Sequence, residues 1–135
     1  MSLISTIRSA VINNSVVQNL ISDRFYEGQI ATVLKDDKVR VEFPCATFLQ
    51  YAGNVDPDIS KVQIAYINIW VWSENSYDEA EKIYDAIFNV LHNMLLTDSE
   101  VKFVTKETGR PTKNYDSIEK TYVLFSSWRA MQILI

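Results

Sequence analysis

Cysteine, glycine and proline are scarce here: one Cys, three Gly and three Pro stand in 135 residues. With one thiol, Cys45, no intramolecular disulfide can form, and a reducing compartment is the expectation. Few backbone breakers leave little of the chain for irregular loop, so most of it should lie in helices and strands. Histidine is as scarce as cysteine. His92 stands alone, and one His with one distant Cys supplies neither a zinc ligand set nor a Cys/His catalytic pair. Long apolar runs are also missing. The most apolar stretch, Val62 to Trp72, is broken by Gln63 and Asn68 and is too short to span a bilayer. Met1 to Ser5 lacks the basic region and long apolar run of a signal peptide, so a soluble protein outside the usual export route is expected.

Positive charge is in deficit as well. The net charge of −4 argues against a surface built to neutralise phosphates. Lys102, Lys106, Arg110, Lys113 and Lys120 do fall close together in sequence. They make a nucleic-acid patch or, more simply, a solvated loop and strand face. The length fits one domain over residues 1–135, large enough to bury about 68–70% of its unfolded surface without disulfides or a structural metal.

Hydrophobic periodicity then orders the chain. Leu3, Ile4, Ile7, Val11 and Ile12 recur at helical spacing. Ser15 with Gln18 has the form of a capping box opening a short second helix with Val16, Val17, Leu20 and Ile21. Asp23-Arg24 closes it, and an extended segment runs from Phe25 to about Gly28. Lys35-Asp36-Asp37-Lys38 reads as a polar turn. Val39, Val41 and Phe43 alternate as a half-buried strand in which Pro44 marks a bulge or an edge. Ala52-Gly53-Asn54 and Asp56-Pro57-Asp58 read as a turn-rich connection.

Val62 to Trp72 is the strongest strand signal. Ile67, Ile69 and Val71 share one face while Asn68, Trp70 and Trp72 share the other. Both faces are largely apolar, which predicts a central strand covered on both sides, or on one side by a partner subunit. Ser76 with Glu79 forms a second capping box, and Asp78 suits the first helical turn. Ala80, Ile83, Tyr84, Ile87, Phe88 and Leu91 continue that helix to about Leu95, with Thr97-Asp98-Ser99 ending it. A strand over 101–106, a polar loop over 107–117, a final strand from Ile118 to Trp128 and an apolar tail from Ala130 to Ile135 complete the order. The pattern predicts an α+β fold: a mostly antiparallel sheet packed by an N-terminal helix and one long central helix.

Chemistry is hard to find in these residues. Cys45 follows Pro44 in an apolar strand, where a free cysteine is most often a small buried hydrophobe. Asp36-Asp37 and Asp56-Pro57-Asp58 fit turns better than a calcium loop. Thr108-Gly109-Arg110-Pro111 lacks the second glycine and the Lys-Ser/Thr of a phosphate loop. Catalytic, cofactor-binding and metal-ligating residues are therefore all expected to be none. The aromatics, 12% of the chain, are the richer signal. Trp70, Trp72 and Trp128 each belong to the core or to a subunit contact, since Trp joins a large apolar area to a polar handle. Ile133 and Ile135, in a tail that water would not tolerate, pack on their own domain or on a partner.

Two segments carry a resemblance. Leu20-Ile21-Ser22-Asp23-Arg24-Phe25-Tyr26-Glu27-Gly28 is similar to the helix-end "L-hydrophobic-x-D-R-hydrophobic-Y-x-G" segment of the tail terminator (tail completion) proteins of long-tailed bacteriophages. Ile67 to Ser73, followed by Ser76-Tyr77-Asp78-Glu79-Ala80, resembles that family's strand ending in Trp and its Tyr/Glu/Ala-rich helix start. Phe43 to Phe48 and the last strand through Tyr122, Leu124, Phe125 and Trp128 follow in the family's order. The sequence departs from the pattern at Trp70, over the charged stretch 29–42 and in the tail 130–135.

The resemblance implies a structural virion protein, present in the host cytoplasm during assembly. It would form a ring, typically a hexamer, that caps the head-proximal end of the tail tube and joins it to the head–tail connector protein. Its partners would be copies of itself, the tail tube protein and the connector, with no membrane, and DNA would pass through without specific binding. The candidate interface comprises Trp70, Trp72, Trp128, Lys35, Asp36, Asp37, Arg110, Lys113, Ile133 and Ile135. The alternatives are a head–tail adaptor, a tail tube component, or a small ligand-binding α+β domain.

Overall fold

The computed structural model describes residues 3–28, 42–55, 62–92, 95–97, 101–107, 111–118 and 120–134. Among these residues three helices, α1 (Leu3–Ile12), α2 (Ser15–Ile21) and α3 (Tyr77–Leu91), pack on a seven-stranded sheet. The strands are β1 (Phe25–Glu27), β2 (Cys45–Val55), β3 (Val62–Ser73), β4 (Leu95–Thr97), β5 (Val101–Glu107), β6 (Thr112–Asp116) and β7 (Thr121–Leu134). Their order is β1-β2-β3-β7-β5-β4, with β6 also on β7. Among the described strands only the β1–β2 pair is parallel, so the expected mostly antiparallel α+β architecture is the observed one.

Alternation along β3 divides the sheet into two surfaces. Ala65, Ile67, Ile69 and Val71 meet Ala46 and Phe48 of β2 and Leu124, Trp128 and Ala130 of β7. The same cluster takes Ile7 and Val11 from α1, Val17 and Ile21 from α2, and Ala80, Ile83, Ile87 and Leu91 from α3. This first face is the core. Phe25 of β1 stacks on Phe48 with ring centroids 4.4 Å apart. Two buried polar side chains are satisfied in series: the Trp128 indole donates to Ser126 Oγ at 2.8 Å, and that hydroxyl donates to the Ile69 carbonyl at 3.2 Å.

Several boundaries differ from the sequence expectation. The N-cap of α2 is Asn14, whose Oδ1 accepts from the Val16 and Val17 amides; Ser15 is already helical, so the Ser15/Gln18 box does not form. Pro44 stands just ahead of β2, after a cis Phe43–Pro44 bond; the β2 irregularity falls between Gln50 and Ala52 instead. Ala52, Gly53 and Asn54 continue β2, paired with Tyr66, Ala65 and Ile64, where a turn was expected. Helix α3 stops at Leu91 with His92 as C-cap, and Leu95–Thr97 pairs with β5 as a strand. The polar stretch 107–117 is partly strand: Glu107 ends β5, and Thr112–Asp116 is β6. Ile118 lies in the turn before β7, 87% exposed. The expected turns at 35–38 and 56–58, and the strand residues 39–41, lie outside the described residues.

The long strand β7 organises this half of the sheet. One edge pairs with β3 almost throughout; the other pairs with β6 over residues 121–125 and with β5 over 128–134. Met131, Gln132 and Ile133 are paired along both strand edges, with β3 on one side and β5 on the other.

Candidate functional site

The resembled Asp-Arg-x-Tyr-x-Gly segment proves to be a helix-to-strand junction. Ser22 caps α2 at φ +54°, its amide donating to the Gln18 carbonyl. The Arg24 guanidinium donates from Nε to the Pro44 carbonyl at 2.9 Å, and Arg8 of α1 does the same to the Phe25 carbonyl at 3.1 Å. Gly28, at φ +111°, donates its amide to the Phe48 carbonyl at 2.8 Å and leaves β1 by a backbone route that suits glycine. These residues hold β1 on β2. They carry no reactive group.

The second face of the sheet looks away from the helices. At one end Cys45, Trp72 and Val123 form a small buried cluster, with Tyr26, Phe43 and Trp70 partly buried against it. The Trp72 indole donates to Thr47 Oγ1 at 3.0 Å, so its polar handle is satisfied within the chain. Burial pushes the Cys45 thiol up to about 12, only partly offset by the Arg24 charge, which keeps it a protonated hydrophobe.

Further along, the same face is open. Leu49, Ile64, Tyr66, Trp70 and Phe125 are each half-buried. Trp70 and Phe125, directly paired across β3 and β7, pack tilted at 5.4 Å between centroids. Asn68 and Ser127 sit beside them, the Ser127 hydroxyl donating to Asn68 Oδ1 at 3.2 Å. Arg129 follows on β7 and is exposed. An aromatic centre edged by amide, hydroxyl and guanidinium groups has the anatomy of a protein interface.

The sequence-predicted residues separate on this map. Trp70 lies on the open face. Trp72 is at its closed end, 7% exposed, held by Thr47. Trp128 is 1% exposed among the helices of the first face, which removes it from any surface and corrects the expectation of a subunit contact there. Ile133 pairs with Val62 and Lys102 inside the sheet. Lys113 is on β6, with Nζ 2.7 Å from Glu81 of α3 and 5.7 Å from the centre of the Tyr77 ring. The hydrogen bond and charge of Glu81 raise its pKa. Lys35, Asp36, Asp37, Arg110 and Ile135 lie outside the described residues. Sequence reasoning missed Leu49, Tyr66, Phe125 and Arg129. The signal was available in alternation along β7, but only the β3–β7 register reveals which residues adjoin Trp70.

Among the described residues no group of three or more His, Cys, Asp and Glu could hold a metal. No described helix is long and apolar enough to cross a membrane. Among the described residues the arrangement offers surfaces for binding, and no set of groups placed for acid–base or nucleophilic work stands out.

No protein-family model matches the sequence, and no curated protein is similar to it at a significant level. Among solved structures, the fold matches a chain from the virion of a native gene transfer agent particle, at 12% identity and a TM-score of 0.73. The match covers 98% of this chain and 95% of that one, so the two share their fold nearly end to end.

Proposed function

We propose that this chain is a structural virion protein that caps the head-proximal end of a tail tube as a ring, ends tube growth and joins the tail to the head connector. The full-length fold match to a virion chain is the observation that carries the reading. The sequence resemblance to tail terminators points the same way, and it supplies the finer role and the hexameric ring. The open aromatic face around Trp70 and Phe125 gives such a protein a surface to bury against its neighbours. Its action is recognition by interface burial, without turnover. A net charge of −4 suits a ring through which DNA slides, because tight phosphate binding would stall passage.

The test is deletion of the gene from the particle-producing genome, with tails measured by electron microscopy. Tails of uncontrolled length, without heads, are expected, and complementation restores them. Tails of normal length without heads would favour the head–tail adaptor reading. Normal-length tails on infectious particles would remove the chain from tail assembly.

A further inference from the structure

The outward stripe of α3 and the margin of the open sheet face carry opposite charge. Along α3 the outward stripe is Asp78, Lys82, Asp85 and Asn89, spaced i, i+4, i+7 and i+11, and all four are exposed. Glu74, also exposed, precedes it, and the nearby Glu81 is engaged by Lys113. The stripe is therefore acidic in balance. Arg129 stands exposed at the margin of the Tyr66–Trp70–Phe125 surface, and the register sets Lys106 of β5 directly opposite it. Among the described residues no carboxylate pairs with Arg129. An exposed Arg129 beside an apolar centre gives the open face a place for an acidic group, and the described helices α1, α2 and α3 pack on the other side of the sheet.

We infer that a second copy of this chain covers the open sheet face, setting the acidic outward stripe of its α3 against Arg129 and the Trp70–Phe125 pair. The two surfaces belong to opposite layers, so the contact is head-to-tail. It cannot be satisfied by one pair of copies and propagates until the rotation closes. This inference rests on the ring reading above and names the surfaces that make the ring.

Charge reversal tests it. Arg129→Glu in one protein and Asp78→Lys with Asp85→Lys in another change exposed groups, and circular dichroism melts establish that both fold. Masses are then read by light scattering, up to millimolar protein, and by electron microscopy on tail tubes. The expected result is that the wild type assembles and each variant alone associates at least about tenfold more weakly. An equimolar mixture of the two recovers assembly, because every contact in an alternating ring is then complementary. Assembly of either variant at wild-type strength, or a mixture that fails to recover, would overturn the contact while a deletion phenotype left the terminator role standing. A wild type monomeric both alone and on tubes would overturn contact and ring together, whereas normal tails after deletion would overturn the role independently of how copies associate.

Discussion

Trp70 and Trp128 stand on opposite faces of one sheet: Trp70 pairs with Phe125 on the open side, while Trp128 pairs with Ile67 beneath the helices. The two tryptophans should therefore respond differently to truncation. Trp128→Ala removes a fully buried indole and orphans its link to Ser126, so a loss of about 3–5 kcal/mol is expected. Trp70→Ala, half-buried before any partner binds, should cost the isolated chain only about 1 kcal/mol. Urea unfolding of both variants decides the matter, and equal losses would contradict the division into a core face and an open face.

The alternation that placed Ile67, Ile69 and Val71 opposite Trp70 and Trp72 was legible in the sequence, because a strand's side chains have a period of two. What alternation could not supply was the third tryptophan's neighbour. Trp128 lies some sixty positions along the chain from β3, and only pairing puts it beside Ile67. Strand β6 was illegible for a different reason. Thr-Lys-Asn-Tyr-Asp has no apolar face to hide, and its order comes from backbone bonds to β7 and from Lys113 on Glu81. The end of α3 was overrun because Leu91 and Leu95 sit four apart like a continuing stripe, although the chain turns extended at His92. Of the candidate site, Trp70 could be picked from its segment alone. Arg129 and Phe125 could not, since their value lies in the register that sets them on the same face.

The start of α3 offers a second prediction. Ser76 accepts from the Glu79 amide at 3.1 Å, as a capping box requires. The return half runs through Ser73, whose buried hydroxyl donates to Glu79 Oε1 at 2.7 Å and accepts from the Asn75 and Ser76 amides. Ser73→Ala leaves three polar groups short of a partner, so about 1–3 kcal/mol of stability should be lost. Asn75→Ala removes only an exposed amide link to Glu79 and should cost clearly less. Thermal melts of the two variants compare them, and a neutral Ser73→Ala would show that the relay contributes nothing.

Truncation after Arg129 tests the role of the tail. Residues Ala130 to Leu134 are paired on one side with β5, and as far as Ile133 with β3 on the other. Removing them strips the partner from most of β5 and unpairs the first residues of β3. The truncated chain should lose cooperative unfolding, as read by calorimetry or by amide exchange across β3 and β5. A folded, cooperative product would mean that the segment serves contacts outside the chain instead.

The Lys113–Glu81 link, between side chains 58% and 43% exposed, is open to solvent. Water and salt screen such a pair, so Lys113→Ala should produce a small loss that disappears at high ionic strength. Its structural consequence should be local. Amide exchange should accelerate in β6 and leave the β3–β7 ladder unchanged, because this corner and the Tyr77, Tyr115 and Tyr122 rings link β6 to α3. Faster exchange throughout the sheet would assign Lys113 a global role.

Cys45 sets the response to alkali. Its thiol is pushed up to about 12 from an ordinary 9.0, chiefly because burial disfavours the thiolate. Below pH 9 the thiol is protonated in the folded and unfolded chain alike, and its contribution to stability is complete. Between pH 9 and 12 the unfolded chain gives up this proton while the folded one retains it, so stability falls as pH rises through that window. Burial raises the Tyr26 hydroxyl as well, and its contribution runs in the same direction. Cys45→Ala isolates the thiol: the variant's stability should decline less steeply from pH 9 upward, whatever its offset at neutral pH. Labelling gives a second reading, since the thiolate is the form that reacts with iodoacetamide. In the wild type, labelling should follow the rate of unfolding, and rapid labelling of the native protein at pH 9 would place Cys45 outside the buried cluster with Trp72 and Val123.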